Sequence, residues 1–133
     1  MTEPIAAIPQ VPLSWGEVID KITILEIKLT RLGSEEARGN ACKELELLRK
    51  VAAPVLARQD LCALAAKLKT LNEALWDVED RIRDHERAGI FDAAFIALAR
   101  SVYRHNDERG RIKRDISLAL GSGLIEEKSY RPY

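Results

Sequence analysis

The chain of 133 residues is long enough for one domain with a single hydrophobic core. Apolar residues make up 47% of it and charged residues 32%, a balance that excludes a disordered chain and is typical of a soluble helical protein. Lysine and arginine together number 21, as do aspartate and glutamate, so the net charge is zero and the chain lacks the basic excess of a dedicated nucleic-acid-binding protein.

The first part of the chain and the two cysteines bear on where the protein works. Residues 1–13 contain prolines at positions 4, 9 and 12, which remove backbone donors and disfavour helix, so we expect an extended arm. This segment has no basic n-region and no long apolar run, so the sequence predicts neither a signal peptide nor a transmembrane helix. Cys42 and Cys62 have no Cys or His neighbour at metal-ligand spacing, which favours free thiols in a reducing compartment. Cytoplasmic localisation follows as the default expectation.

The stretch SWGE at 14–17 gives the first helix signal. Ser14 as N-cap and Glu17 three residues later form a capping box, which satisfies free N–H groups at a helix start. Apolar residues then recur at alternating spacings of four and three, which predicts a helix over 15–32 that ends at Gly33. These apolar residues are Val18, Ile22, Leu25, Leu29 and Leu32.

Three more helices are predicted downstream. Ser34 and Asp92 are the N-caps of the second and the fourth, Pro54 ends or kinks the second, and the third runs over about 59–87. Because the loops between them are short, the helices predict an all-α, up-and-down bundle of about four helices in a single domain over 1–133. The tail 121–133 is expected to pack on the bundle through Leu124, Ile125 and Tyr130.

The third predicted helix is long for so small a domain. Its apolar residues hold the spacing of a coiled coil until Gly89 closes the helix. These residues are Leu61, Leu64, Leu68, Leu71, Leu75, Val78 and Ile82. At 1.5 Å per residue the helix measures about 43 Å, so its far end needs cover from the other helices or from a second copy. We therefore predict a homodimer.

The stretch YRHNDERGRIKRDI at 103–116 interrupts the apolar seam of the fourth helix. The seam positions within it fall on His105 or Asn106, and then on Arg109. An arginine in such a seam is unfavourable unless it is paired and hydrogen-bonded. Because a short loop joins the third and fourth helices, the two run antiparallel, which places Arg109 near residues 71–72. We favour a partly enclosed polar patch here over a solvated turn of helix.

The charges around this patch have more than one explanation. Acidic residues in the C-terminal half of the third helix can form an interhelical salt-bridge ladder with basic residues of 100–116, without any ligand. Alternatively, the basic residues converge on an anionic small molecule, since the planar fork of arginine suits phosphate or carboxylate. The ligand-binding candidates are Arg109, His105, Asn106, Lys113, Tyr103 and Lys21. A surface for a partner protein is the third possibility, and Trp76, expected at the bundle edge, is an alternative stacking surface for a base or sugar.

Two carboxylate pairs raise a metal alternative. Glu17 and Asp20 form one pair and Asp77 and Asp80 the other, each spaced i, i+3 on one helix face. Mg²⁺ prefers oxygen ligands, and all-α nucleotide pyrophosphohydrolases use acidic pairs on bundle helices in this manner. The alternative function is therefore a Mg²⁺-dependent, pyrophosphohydrolase-like enzyme. Each pair also has a neighbouring cation able to neutralise it, so the first expectation includes no metal or cofactor.

Four blocks of the sequence resemble a small bacterial family of unknown function. They are SWGEVIDKITILEIK at 14–28, LWDVEDRIR at 75–83, NDERGRIKRDI at 106–116 and LIEEKSY at 124–130. The resemblance implies no activity, but it implies a link to surface-polysaccharide synthesis and glycosyl transfer. Since the matching blocks are also the polar ones, we expect a binding or accessory protein with an anion-competent patch, and whether it is an enzyme stays open.

Overall fold

Four helices make up the regular structure of residues 7–133, the part of the chain that the computed structural model describes. They are α1 (Trp15–Arg31), α2 (Glu35–Leu56), α3 (Gln59–Ala88) and α4 (Ala93–Ala119). No strand occurs within that range, so the predicted all-α bundle is confirmed. Residues 7–13 of the predicted arm carry neither helix nor strand, and residues 1–6 lie outside the described part.

The helices begin where the sequence predicts, for the predicted reason. The side-chain oxygen of Ser14 accepts a hydrogen bond from the backbone N–H of Glu17 at 3.2 Å. Ser34 caps α2 through the N–H of Ala37 at 3.1 Å, and Asp92 caps α4 in the same way. Each cap satisfies a donor that has no partner inside its helix, which fixes the start of the helix to one residue.

One predicted helix end needs correction. Gly89 adopts the predicted left-handed conformation after α3, with φ of 68°, but Gly33 does not adopt it after α1. Leu32 is instead extended at that end, and its carbonyl accepts a hydrogen bond from Arg38 at 2.7 Å, so no left-handed residue is needed. Pro54 lies within the last turn of α2, which continues to Leu56.

α1 is the central helix of the bundle. It runs antiparallel to α4, because Glu17 meets Lys113 and Asp20 meets Arg109. It also packs on α2 and α3, so residues on nearly all of its faces are buried. The largest fully buried apolar side chains of the bundle are Ile19, Leu45, Leu61, Leu68 and Ile116.

The outer ends of α3 and α4 extend beyond this core as a two-helix hairpin. The last buried residue of α3 is Val78 and the first of α4 is Leu98, within the described part of the chain. In the tail 121–133, of the three residues expected to pack on the bundle, Ile125 is half-buried, whereas Leu124 is 48% and Tyr130 74% exposed. Ion pairs also join the tail to α4. Among the described helices, none combines the length and the apolar character required to cross a membrane.

Candidate functional site

A buried carboxylate lies at the centre of the polar residues. Asp20 of α1 is only 2% exposed. One of its oxygens accepts a hydrogen bond from Arg109 of α4 at 2.6 Å, and the other accepts one from Asn72 of α3 at 2.9 Å. The Asn72 amide also donates to the hydroxyl of Thr23 at 2.8 Å. We call Asp20, Thr23, Asn72, Asn106 and Arg109 the Asp20 cluster; it joins α1, α3 and α4 at one point.

Arg109 is the cation that neutralises this carboxylate. Its guanidinium donates to Asp20 and, at 2.9 Å, to the side-chain oxygen of Asn106 one turn earlier on α4. Its Nε is buried and has no partner within residues 7–133, and the same is true of Nδ1 of His105. A buried charge is tolerated only when it is paired, so Asp20 and Arg109 depend on each other.

Lys113, one turn beyond Arg109, forms a second group of ion pairs. Its ammonium lies 2.8 Å from Glu17 of α1, 3.0 Å from Glu126 of the tail and 3.9 Å from Asp20. Burial by itself lowers the pKa of Lys113, but hydrogen bonds to Glu17 and Glu126 outweigh it and raise the pKa above its usual value. The three carboxylates face three cations, Arg109, Lys113 and Lys128, the last of which lies 3.7 Å from Glu126, so the formal charges of this polar region balance and leave no cationic surplus.

A glycine lets α1 and α4 approach closely enough for these contacts. A Cβ atom on Gly16 would lie 2.2 Å from the carbonyl oxygen of Lys113, well inside any real contact distance. The N–H of Gly16 donates to the buried hydroxyl of Ser117 at 2.9 Å. From the SWGE stretch we predicted only the capped start of α1 and not the close approach of α4. A glycine in the first turn of a helix, where it weakens the helix, was the available signal for a close backbone contact.

The structure brings part of the predicted site together. Asn106, Arg109 and Lys113 lie on one face of α4 against α1, with His105 beside them. Lys21 lies apart from them and pairs with Glu44 of α2 at 3.6 Å. The exposed Tyr103 packs edge-on against Tyr133 of the tail, with ring centres 4.8 Å apart. The sequence prediction missed Thr23, Asn72 and Glu126 as members of the site and placed Asp20 only in a metal pair.

The predicted salt-bridge ladder between α3 and α4 is wrong. Within residues 7–133, the only such contact between α3 and the start of α4 is His85 with the capping residue Asp92 at 3.8 Å. Arg109, Lys113 and Arg114 of α4 pair instead with α1 and the tail. The reason is that α1 packs alongside α4 and inserts Asp20 into the seam. The predicted anion site stays a prediction, and any anion there has to compete with these carboxylates.

The two carboxylate pairs of the metal alternative do not share a site. Glu17 binds Lys113, Asp20 binds Arg109, and Asp77 of α3 binds Arg31 at the end of α1. The described residues contain no group of three or more His, Cys, Asp or Glu side chains placed to hold a metal ion. Three of the four carboxylates therefore already have a cation from the chain itself, whereas Asp80 forms no ion pair within residues 7–133.

An open cleft of about 440 Å³ lies beside the Asp20 cluster, between α1, α3 and α4. Its apolar lining comes from both α1 and α3, and Trp76 is the largest side chain in it. Arg109 and Asn72, which belong to the Asp20 cluster, also contribute polar groups to the lining of this cleft. The full lining comprises Ile24, Ile27, Asn72, Leu75, Trp76, Glu79, Asp80, Arg83 and Arg109. We call this space the Trp76 cleft.

The tail is attached to the bundle by pairs whose strength depends on pH. The hydrogen bond from Lys113 lowers the pKa of Glu126 below its usual value. A carboxylate with a depressed pKa stabilises the folded contact above its unfolded pKa of about 4.3, and the stabilisation is lost as the pH falls through the folded value. Lys128 is the other cation facing Glu126, at 3.7 Å.

We expect acidification from pH 6 to pH 3 to release the tail while the helices persist. Backbone amide relaxation measured by NMR across this range should show rising mobility in residues 124–133. In the variant Glu126→Gln, residues 124–133 should be mobile already at pH 6. The matched control is Glu127→Gln, because Glu127 is 74% exposed and such a pair contributes little. A tail that stays rigid in Glu126→Gln would contradict this role for the Lys113 contact.

No curated protein and no solved structure is significantly similar to the chain. The sequence profile of one family does match, over residues 9–132, which is nearly the whole chain and includes all four helices. The expectation of a family of unknown function is thereby confirmed, and the chain belongs to the family of unknown function DUF6165.

Proposed function

We propose that this protein is a binding protein for a glycosyl-type ligand, which enters the Trp76 cleft. The observation that carries the proposal is the lining of this cleft, which combines a half-buried tryptophan with the polar side chains of Asn72 and Arg109. Small-molecule sites are typically concave, mostly apolar and supplied with a few fixed polar groups, and a volume of about 440 Å³ falls in their usual range.

The charges in the cleft favour a neutral or singly charged ligand. Its lining contains two carboxylates, Glu79 and Asp80, and two guanidinium groups, Arg83 and Arg109, so the formal charges are equal in number. Such a balanced surface has no surplus cation for a multiply charged phosphate. Sugar hydroxyl groups both donate and accept hydrogen bonds, so they suit carboxylates and guanidinium groups equally. The apolar face of a sugar ring suits the ring of Trp76.

The Asp20 cluster is suited to holding one wall of this cleft rigid. Asn72 and Arg109 belong to both the cluster and the cleft lining, and each is fixed by a hydrogen bond to Asp20. A ligand that binds to pre-positioned groups loses less free energy to side-chain ordering. The sequence resemblance to bacterial proteins linked to surface-polysaccharide synthesis is a second, independent support for a glycosyl ligand. Because the supporting features are those of a binding site, we propose a binding or accessory role.

The test is a thermal-shift screen of monosaccharides, sugar phosphates, nucleotide-sugars and nucleotides, each with and without Mg²⁺. A ligand present at 100 times its Kd should stabilise the fold by about 2.7 kcal/mol. We expect a neutral or singly charged sugar to do so without Mg²⁺ and without turnover. Stabilisation by none of the sugars, or Mg²⁺-dependent release of phosphate or pyrophosphate, would contradict the proposal.

Asp80→Asn provides a variant that separates binding from folding. Asp80 is exposed and lines the cleft, and it forms no ion pair within the described residues, so its replacement should change stability by less than about 0.5 kcal/mol. A hydrogen bond to a charged group is worth about 1.5–3 kcal/mol, so the Kd of the ligand should rise by about 10- to 100-fold. Asp84→Asn, one turn further along α3 and outside the cleft, is the matched control. Titration calorimetry that gives equal affinities for the two variants would place the ligand elsewhere.

A further inference from the structure

The outer hairpin of α3 and α4, residues 78–104, leaves much of its apolar surface uncovered. Ile90 is 49%, Phe91 55% and Ile96 55% exposed at the turn and at the start of α4. The stretch AAFIALA at 93–99 is apolar throughout, yet Leu98 is its only buried residue. An apolar surface that is continuous along a helix is unusual for a monomer and marks an interaction site.

The inner half of α3 needs no such partner. Leu61 and Leu68 are fully buried by the chain's own helices. The leucine repeat of α3, from which the sequence predicted a homodimer, is therefore covered by the chain's own helices along the inner half of α3. The hairpin is the part that stays uncovered, because α1 and α2 do not pack against α3 and α4 there. A two-helix hairpin with so few buried side chains gains a core only when further helices pack on it.

The charges on the hairpin indicate which partner fits. Within residues 7–133, Asp84 and Glu86 near the end of α3 form no ion pair, and neither do Arg100 and Arg104 on α4. Asp84 and Glu86 lie near the turn, whereas Arg100 and Arg104 lie about two and three helical turns from it towards the core. If two hairpins pack side by side in opposite directions, the acidic end of each faces the basic part of the other.

We propose that this hairpin is the interface of a homodimer, in which two copies pack their hairpins antiparallel to form a four-helix bundle. Such a pairing is isologous: the same surface serves both copies, and every contact occurs twice. It covers Phe91 and Ile96 with the partner's apolar residues. It also pairs the acidic end of α3 with the partner's arginines, which sets the direction of packing.

The first test is sedimentation equilibrium of the full chain at 1–100 µM, where we expect a dimer. Ile96→Glu adds a charge to an exposed site, so it should leave the monomer fold intact by circular dichroism but weaken dimerisation at least 100-fold. The matched control is Val51→Glu, because Val51 is 59% exposed on α2, away from the hairpin. A wild-type chain that is monomeric at 100 µM would overturn the proposal. So would a dimer that Ile96→Glu leaves intact, or one that Val51→Glu disrupts equally.

The second test examines the antiparallel direction. One chain carries Arg100→Glu and Arg104→Glu, and the other carries Asp84→Lys and Glu86→Lys. In each homodimer the new charges face like charges, so both chains should be monomeric alone. In the mixture every pair again joins opposite charges, so a heterodimer should form. If the mixture remains monomeric, or if either chain dimerises alone as well as the wild type does, the antiparallel arrangement is wrong.

Discussion

Replacing Arg109 with alanine is expected to destabilise the fold by about 3–5 kcal/mol, because removal of one partner leaves a buried charge uncompensated. The carboxylate of Asp20 is 2% exposed and loses its 2.6 Å hydrogen bond. Of its former neighbours only Asn72 still donates to it directly, and Lys113 is 3.9 Å away. Urea unfolding followed by circular dichroism measures the loss. An anion-binding role for Arg109 predicts the opposite, since removal of an unneutralised cation would leave the fold as stable or more so.

A surface ion pair provides the control for this experiment. Arg49 of α2 pairs with Glu26 at 2.9 Å, but its side chain is 51% exposed, so Arg49→Ala should cost less than about 1 kcal/mol. A double-mutant cycle of Asp20→Asn with Arg109→Met then tests whether the two groups act as a pair. The double variant should be clearly more stable than the sum of the two single losses predicts, since neither charge is left alone. Additive losses would mean that the two side chains contribute independently.

The arrangement of the helices was largely predictable, because the signals that determine it are local. Ser14, Ser34 and Asp92 each fix a helix start through a hydrogen bond to an N–H three residues later. The phase of the apolar seam in α4 turned Arg109 inward. Counting residues from the short α3–α4 loop placed it near residue 72, and Arg109 and Asn72 do bind the same carboxylate.

The partner of Arg109 was not predictable in the same way. Asp20 is 89 positions away in the sequence, and no local pattern shows which helix lies alongside α4. One signal was available in α1 itself, where the sequence VIDKITILEI has apolar residues on nearly every face. A helix of that kind is surrounded by other helices, so its polar residues must be buried and paired. Asp20 and Thr23 are then the residues expected to find partners from neighbouring helices, as they do.

The net charge around the predicted ligand site is a second property that the sequence did not predict. Net charge along 100–116 suggested a cationic patch, but the charge that matters in a folded site is the local sum over all elements. Glu17, Asp20 and Glu126 come from α1 and the tail and remove the cationic surplus around Lys113. A charge count on one helix therefore predicts where polar residues meet but not the net charge of the site.

Gly16→Ala is the second substitution from which we expect a large effect, and it probes the packing on which the whole cluster depends. The added methyl group would lie 2.2 Å from the carbonyl oxygen of Lys113, which is backbone and has no alternative rotamer. Either α1 or α4 has to move, and overpacking of this kind costs about 1–3 kcal/mol and occasionally more. The movement should also weaken the Gly16–Ser117 hydrogen bond and separate Glu17 from Lys113.

Gly39→Ala is the matched control, since it makes the same chemical change in another helix. Nothing lies within 4 Å of a Cβ at Gly39, and the residue lies inside α2 without a positive φ, so alanine should stabilise the protein by about 0.4–1 kcal/mol. Opposite signs for the two glycines in urea unfolding, with unchanged m-values, would show that contact with α4 decides the outcome. Ser117→Ala separates the steric effect of the added methyl group from the loss of the hydrogen bond at Gly16. It removes the hydrogen bond without adding bulk, and it should cost only about 1 kcal/mol. If Gly16→Ala is as stable as the wild type, α1 and α4 do not touch at this point, and the close approach that places Asp20 against Arg109 has a different origin.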